Sequence, residues 1–191
     1  MRILAALLCM GLASCAGFGT VKDSALHLQI DGVSCSGTVI GPHAVLSAAH
    51  CFQWPYTLRI GYQPVSVKRV MLDGNDHIIL IVGRKFDRWP LLAEMPIPGT
   101  EVLILGNPGD MSAQFRHGYV AGEVATRRGL ATTFDLRIYY GDSGSGIFNH
   151  RNQLVGVISL IYTLDDGRSQ LTMAGAYPLA FTAEQWREAR R

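Results

Sequence analysis

The segment Gly141-Asp142-Ser143-Gly144-Ser145-Gly146 sets one hydroxyl among glycines. A serine hydroxyl is a weak nucleophile until a neighbouring base takes its proton. Glycines permit the tight turn that would aim the amides of Gly141 and Ser143 at one spot. Two such N–H groups could receive the oxyanion of an acyl transfer, where losing a single donor costs roughly 2.7–4 kcal/mol. A base is on offer at His50, within Ala48-Ala49-His50-Cys51, where small residues let the imidazole sit close to the backbone. The chemistry also needs a carboxylate to hold the ring. Leu72-Asp73-Gly74-Asn75-Asp76-His77-Ile78-Ile79-Leu80 supplies two, Asp73 and Asp76, and the residues alone leave both open. The order along the chain is His, Asp, Ser. An α/β-hydrolase would run Ser, Asp, His with Gly-x-Ser-x-Gly at the nucleophile, and here Ser145 takes the final glycine's place.

These residues need a scaffold, and the chain reads as short strands punctuated by Gly and Pro. Leu26, Leu28 and Ile30 alternate with His27 and Gln29, the period of a half-buried strand. Further strands are predicted near 38–40, 44–46, 56–60, 65–71 and 78–82. A second series runs over 101–105, 118–123, 132–138, 146–148, 154–162 and 171–178. Many short strands with turn residues between them argue for an all-β sandwich or barrel. One helix is predicted, over 182–191, with Thr182 as its cap and Glu184 and Gln185 behind it. The two halves meet near 84–98. The 191 residues are 48% hydrophobic and 17% charged with a formal net charge of +2, which argues against disorder and against a nucleic-acid binder.

The run from Cys35 to Cys51, Cys-Ser-Gly-Thr-Val-Ile-Gly-Pro-His-Ala-Val-Leu-Ser-Ala-Ala-His-Cys, resembles the histidine motif of the trypsin-like serine peptidases. Gly141 to Gly146 resembles their nucleophile loop, usually Gly-Asp-Ser-Gly-Gly, and departs from it at Ser145. The family sets its acid directly before a buried apolar strand, which selects Asp76 and leaves Asp73 as a solvated turn residue. Gly99 to Pro108 looks like the opening strand of a second barrel. Gly156-Val157-Ile158-Ser159 resembles the strand along which substrate backbone pairs. The resemblance implies that the Ser159 hydroxyl supports the acid, and that Gly175-Ala176-Tyr177 lies behind the specificity pocket. It covers about residues 25–190 and is nearest the small bacterial branch that includes glutamyl endopeptidases.

The implied fold is all-β, with two six-stranded antiparallel β-barrels of chymotrypsin type and a C-terminal helix. Residues 25–90 would form the first barrel and 91–191 the second barrel with the helix. The implied function is a monomeric serine endopeptidase acting on proteins or peptides through His50, Asp76 and Ser143 and an acyl-enzyme. The oxyanion hole would be the amides of Gly141 and Ser143, with no cofactor, metal or nucleic acid. A silent peptide-binding protein, or an esterase or self-cleaving activity at the same site, would share the fold. His27, His43, His77, His117 and His150 lack metal-ligand spacing and are expected as surface or strand residues.

Specificity is less legible. The position six before the nucleophile, at the base of the family's pocket, is Arg137. A cation there would oppose a Lys or Arg side chain by roughly 1–4 kcal/mol at about 4 Å; the alternative points Arg137 into solvent. Leu160 and Ile161 follow Ser159 where a glycine often keeps the pocket open, so a shallow pocket is expected. Val157 stands where glutamyl endopeptidases carry a His. Tyr139 and Tyr140 either line the cleft or pack. Vertebrate members are activated by a new N-terminus, usually Ile-Val-Gly-Gly, that pairs with the Asp before the nucleophile. No such sequence precedes Leu26, so Asp142 is expected to find other partners and the chain to be active without proteolysis.

Residues 1–14 read as a secretory signal: Arg2 supplies a charge and 3–12 are almost wholly apolar, too short to span a bilayer. Leu12-Ala13-Ser14-Cys15 resembles the bacterial lipobox, which implies lipidation of Cys15, with Ala16 after it pointing to the outer membrane. Residues 15–24 would be a linker, and the chain an exported envelope or secreted protein whose only membrane link is that lipid. With Cys9 lost and Cys15 lipidated, Cys35 and Cys51 remain as a pair suited to an oxidising compartment. Their bridge would be worth roughly 3 kcal/mol in the chain-entropy picture.

Overall fold

The computed structural model describes residues 21–53, 55–111 and 113–191. The candidate signal and the lipid acceptor Cys15 lie outside them. Among the described residues, strands form two curled antiparallel sheets of seven strands each. The first comprises β1 (Ala25–Ile30), β2 (Val33–Gly41), β3 (Ala44–Ala48), β4 (Leu58–Ile60), β5 (Gln63–Pro64), β6 (Val67–Leu72) and β7 (His77–Val82), in the order β5-β4-β1-β2-β3-β7-β6. The second comprises β8 (Glu101–Gly106), β9 (Gln114–Thr126), β10 (Gly129–Asp135), β11 (Gly146–Phe148), β12 (Leu154–Val157), β13 (Leu160–Asp165) and β14 (Gln170–Ala176), in the order β12-β11-β8-β9-β10-β14-β13. The all-β, chymotrypsin-like architecture is as expected, but each half has a seventh strand.

Both extra strands have local causes. Gly61 and Tyr62 adopt positive φ, 56° and 68°, closing a tight hairpin that pairs Gln63 and Pro64 back onto β4. In the second half the expected strand 154–162 splits in two. Ile158 exchanges backbone hydrogen bonds with the nucleophile loop, donating to Ser145 O (2.9 Å) and accepting from Gly144 N (2.7 Å). A strand cannot continue its own ladder through a residue whose groups are committed elsewhere.

Alternation explains how the sheets are held together. Successive strand side chains point to opposite faces. Val39, Val45 and Leu80 face the core of the first sheet with Leu28 and Ile60. Their neighbours Ile40, Leu46 and Ile79 face outward, and pack with Leu105, Phe148, Leu154 and Val157 of the second half. This is why β2, β3 and β7 are apolar on both faces. Ile104, Phe134, Ile147 and Ile158 fill the second sheet.

The helix α1 (Ala183–Ala189) starts as its sequence predicts: Gln185 N donates to Thr182 Oγ1 (3.2 Å) and Thr182 N to Gln185 Oε1 (2.8 Å), a capping box. Its far end lies on β2, where a Cβ at Gly41 would stand 1.8 Å from Ala189 O. Only glycine admits that approach.

Candidate active site

His50 sits on the 3₁₀ turn Ala49–Cys51 that ends β3. The Cys35–Cys51 disulfide ties that turn to β2. Ala49 N donates to Asp76 O (2.7 Å), so the histidine turn and the acid's turn are joined through backbone. Asp76 itself is left-handed, φ 71°, a conformation that Asp tolerates better than most residues.

Asp73 builds the turn. Its Oδ1 accepts from Asn75 N (2.8 Å) and His77 N (3.1 Å), and its Oδ2 from Ala180 N (3.0 Å) and from His77 Nδ1 (2.6 Å). Asp73 and His77 side chains are both fully buried, which corrects the expectation of a solvated Asp73, while His77 opens β7 as a strand residue. His27 is buried too, bonded to Ser34 Oγ (2.9 Å) and Asp110 Oδ1 (2.9 Å). Burial pushes the Asp73 carboxyl up. The bonds from His77, Ala180 and Asn75, with the charge of His77, outweigh it and hold the group below its ordinary value. A depressed carboxyl contributes stability above its unfolded value and loses it as pH falls through the folded one. Chemical denaturation against pH should therefore show stability lost below about pH 4. In Asp73→Asn that acid-dependent part should vanish, with about 3–5 kcal/mol lost at pH 7. An unchanged slope below pH 4 would refute the assignment.

The triad candidates converge. Asp76 Oδ2 lies 2.7 Å from His50 Nδ1, Asp76 Oδ1 accepts from His50 N at 3.0 Å, and His50 Nε2 lies 2.9 Å from Ser143 Oγ. An ionised carboxylate can only accept, so Nδ1 carries the proton and Nε2 is free to accept from the hydroxyl. The acid is 6% exposed and the imidazole 43%, so the ring opens to a cleft while its partner is shielded.

Ser143 stands on a loop held from three sides. Ser36 N donates to Ser143 O (2.8 Å), Ser36 Oγ to Gly141 O (2.8 Å), and Gly144 N to Ile158 O (2.7 Å). Gly144, at φ 85°, leaves room where a Cβ would meet Ser36 O at 2.1 Å. Gly109 N donates to Tyr140 O (2.7 Å). In a trans peptide the N–H points opposite the C=O, so the Gly141 N–H faces away from Gly109. Neither it nor Ser143 N donates to a protein acceptor among the described residues.

Asp142 is fully buried and its carboxylate takes both arms of Arg116, with Nη1 at 2.7 Å from Oδ2, while Tyr139 N donates at 2.8 Å. Arg116 Nη1 also donates to Arg137 O (3.0 Å). Ser145 fits because Gly106 has no side chain: a Cβ there would lie 2.4 Å from Ser145 Oγ.

Arg137 is exposed, and its carbonyl accepts from Arg116 Nη1 at 3.0 Å. Ser159 is buried, but its Oγ accepts from Tyr177 N (3.1 Å) and donates to Val157 O (3.4 Å), and among the described residues it makes no bond to Asp76. Asp76 Oδ1 instead meets Arg128 Nη1 at 3.3 Å. Leu160 lies across Gly175, where a Cβ would stand 2.7 Å from its Cδ1. Ile161 is 42% exposed and Tyr139 and Tyr140 are exposed, whereas Val157 is buried between the sheets. Sequence reasoning missed Arg116, Gly109 and Arg128. Only Arg116 left a trace: a buried Asp without a terminal ammonium demands some cation. Among the described residues no group of His, Cys, Asp and Glu could hold a metal ion.

Residues 35–157 match the family model described as a trypsin-like peptidase domain. No curated protein matches the sequence. Among solved structures, the active form of the Rv3671c protease from M. tuberculosis superposes with a TM-score of 0.67 at 19% identity, over 91% of this chain and 82% of that one. The inactive form of the same protease gives 0.66 at 18%, over 91% and 90%. An HtrA-type protease, AlgW, with a decapeptide gives 0.68 at 12%, over 86% of this chain and 63% of the other. At these identities the likeness is one of fold.

Proposed function

Because the chain belongs to the trypsin-like peptidase family, we propose that it is a serine endopeptidase whose catalytic residues are Ser143, His50 and Asp76. One observation carries this reading: the imidazole of His50 bridges a shielded carboxylate at 2.7 Å and the Ser143 hydroxyl at 2.9 Å.

The chemistry follows from that geometry. Ser143 Oγ forms a bond to the scissile carbonyl carbon as its proton passes to His50 Nε2. The carbonyl π electrons move to oxygen, and the oxyanion is received by the N–H groups of Gly141 and Ser143. Asp76 keeps the ring in one tautomer and stabilises the imidazolium without taking its proton. When the C–N bond breaks, the leaving amine receives the proton from Nε2. Water then attacks the acyl carbon, giving a proton to His50 Nε2, and as the acyl C–O bond breaks Nε2 returns that proton to Ser143 Oγ and the acid product leaves.

Leu160 lying across Gly175 supports a shallow primary pocket and small apolar side chains in it. The Cys35–Cys51 disulfide supports an exported chain, since such bonds persist in oxidising compartments.

A fluorophosphonate reagent tests the assignment directly. Mass spectrometry should find the adduct on Ser143, and His50→Ala should remove it while the protein stays folded. Folded wild-type protein that takes up no reagent would turn the reading toward a peptide-binding module.

A further inference from the structure

Asp76 is served from both sheets. From the first come His50 N and Nδ1. From the second comes Arg128, at the tip of the β9–β10 hairpin, with Nη1 3.3 Å from Oδ1. The Ser159 hydroxyl, from which that support was expected, is committed to Tyr177 N and Val157 O. We infer that Arg128 is a positioning residue, a cation reaching from the second sheet that holds the triad carboxylate and sets how strongly it draws a proton onto His50. This rests on the catalytic reading above.

The hairpin tip is built to hold that reach. Thr126 Oγ1 donates to Gly129 O (2.8 Å) and accepts from Arg128 N (3.1 Å), and lies 3.1 Å from Tyr177 OH. The Thr126 hydroxyl has one proton and spends it on Gly129, so Tyr177 donates to Thr126. The turn is therefore fastened to the residue after β14, beside Ser159. Gly129, at φ 121°, lets the chain turn back there.

The electrostatics have a definite sign. The other charged groups near the acid are accounted for: Asp73 and His77, on its own turn, pair with each other. Among the described residues, the C-terminal tail meets that turn through uncharged groups, Ala180 N to Asp73, Pro178 O to Asn75 and, at its start, Gln185 Nε2 to Leu72 O. Arg128 is thus the one cation bound to Asp76 besides the imidazolium, among the described residues. It shares the carboxylate charge that would otherwise stabilise protonated His50. Removing it strengthens that pull, so the ring holds its proton to higher pH. The Arg128 side chain is 61% exposed, so salt should weaken the effect.

The test is the pH dependence of kcat/KM on a peptide substrate, with the His50 imidazole followed by NMR in the same proteins. Arg128→Ala and Arg128→Gln should move the acid limb and the imidazole midpoint up by roughly half a pH unit at low ionic strength. Arg128→Lys, which keeps the charge, should recover most of that shift, with KM little changed throughout. Raising salt in the unaltered protein should move its midpoint toward that of Arg128→Ala, a result that needs no variant to fold. A merely structural hairpin would lower activity without moving either midpoint, and coincident profiles would overturn the inference. Because the imidazole titrates whether or not the protein turns over, that outcome is separable from an inactive wild type, which would sink the catalytic reading instead.

Discussion

Ser143→Ala is expected to lower kcat on a peptide substrate by on the order of 10⁶, with His50→Ala costing about as much and the double variant little more. The three effects should not add, because nucleophile and base act as one unit: without Nε2 at 2.9 Å the hydroxyl keeps its proton, and without the hydroxyl the base has nothing to activate. Asp76→Asn is expected to cost on the order of 10⁴, since an amide in place of Oδ2 can present N–H to Nδ1 and favour the wrong tautomer. Residual rate on the order of 10³ above water should survive in all of them if the N–H groups of Gly141 and Ser143 still receive the oxyanion. Asp73→Asn is the informative companion. It should injure stability and leave the pH profile of the surviving native fraction in place, because its carboxylate faces His77 and Ala180 and not His50. Steady-state kinetics on the set decide the matter. Ser143→Ala within tenfold of wild type would remove the nucleophile from Ser143.

What could be read from the sequence was what is local. The histidine turn and the nucleophile loop are contiguous words whose glycines and small residues have a backbone reason to be there, and the apolar run after Asp76 marked a buried strand. The all-β class followed from alternation and turn residues. What could not be read depends on distant partners. Asp73 looked like a solvated turn residue because nothing near it announces that Ala180 N, 107 positions on, will close over it. Ser159 had the right chemistry for Asp76, but its oxygen is satisfied by Tyr177, and Arg128 took the carboxylate from a hairpin that carries no motif. The break between β12 and β13 was equally hidden, since Ile158 is a good strand residue whose hydrogen bonds go to the nucleophile loop.

Arg116 carries the second large expectation. Asp142 precedes the nucleophile and is fully buried, and a buried carboxylate stripped of its partner costs about 3–5 kcal/mol. The Arg116 fork supplies two donors and a charge from β9, 26 positions away in sequence. That pair fixes Asp142 between Gly141 and Ser143, the two residues whose N–H groups are to receive the oxyanion. Arg116→Met keeps the stem and removes the charge. The carboxylate should then turn toward water and rotate its neighbouring peptides, losing one or both donors, so kcat/KM should fall by about 10²–10³ or more. Arg116→Lys should recover part of it, since an ammonium matches the charge but not the two-pronged geometry. Pairing Arg116→Met with Asp142→Asn should restore much of the stability, because no bare charge remains buried, while activity stays low. That split between a denaturation midpoint and kcat/KM is what distinguishes an internal cation that shapes the oxyanion site from one that only stabilises the fold. Because Arg116 already occupies Asp142, the chain is expected to be as active before any cleavage near Leu26 as after it. Activity confined to a form beginning near Leu26, or Arg116→Met at wild-type rate, would show that Asp142 is held by something else.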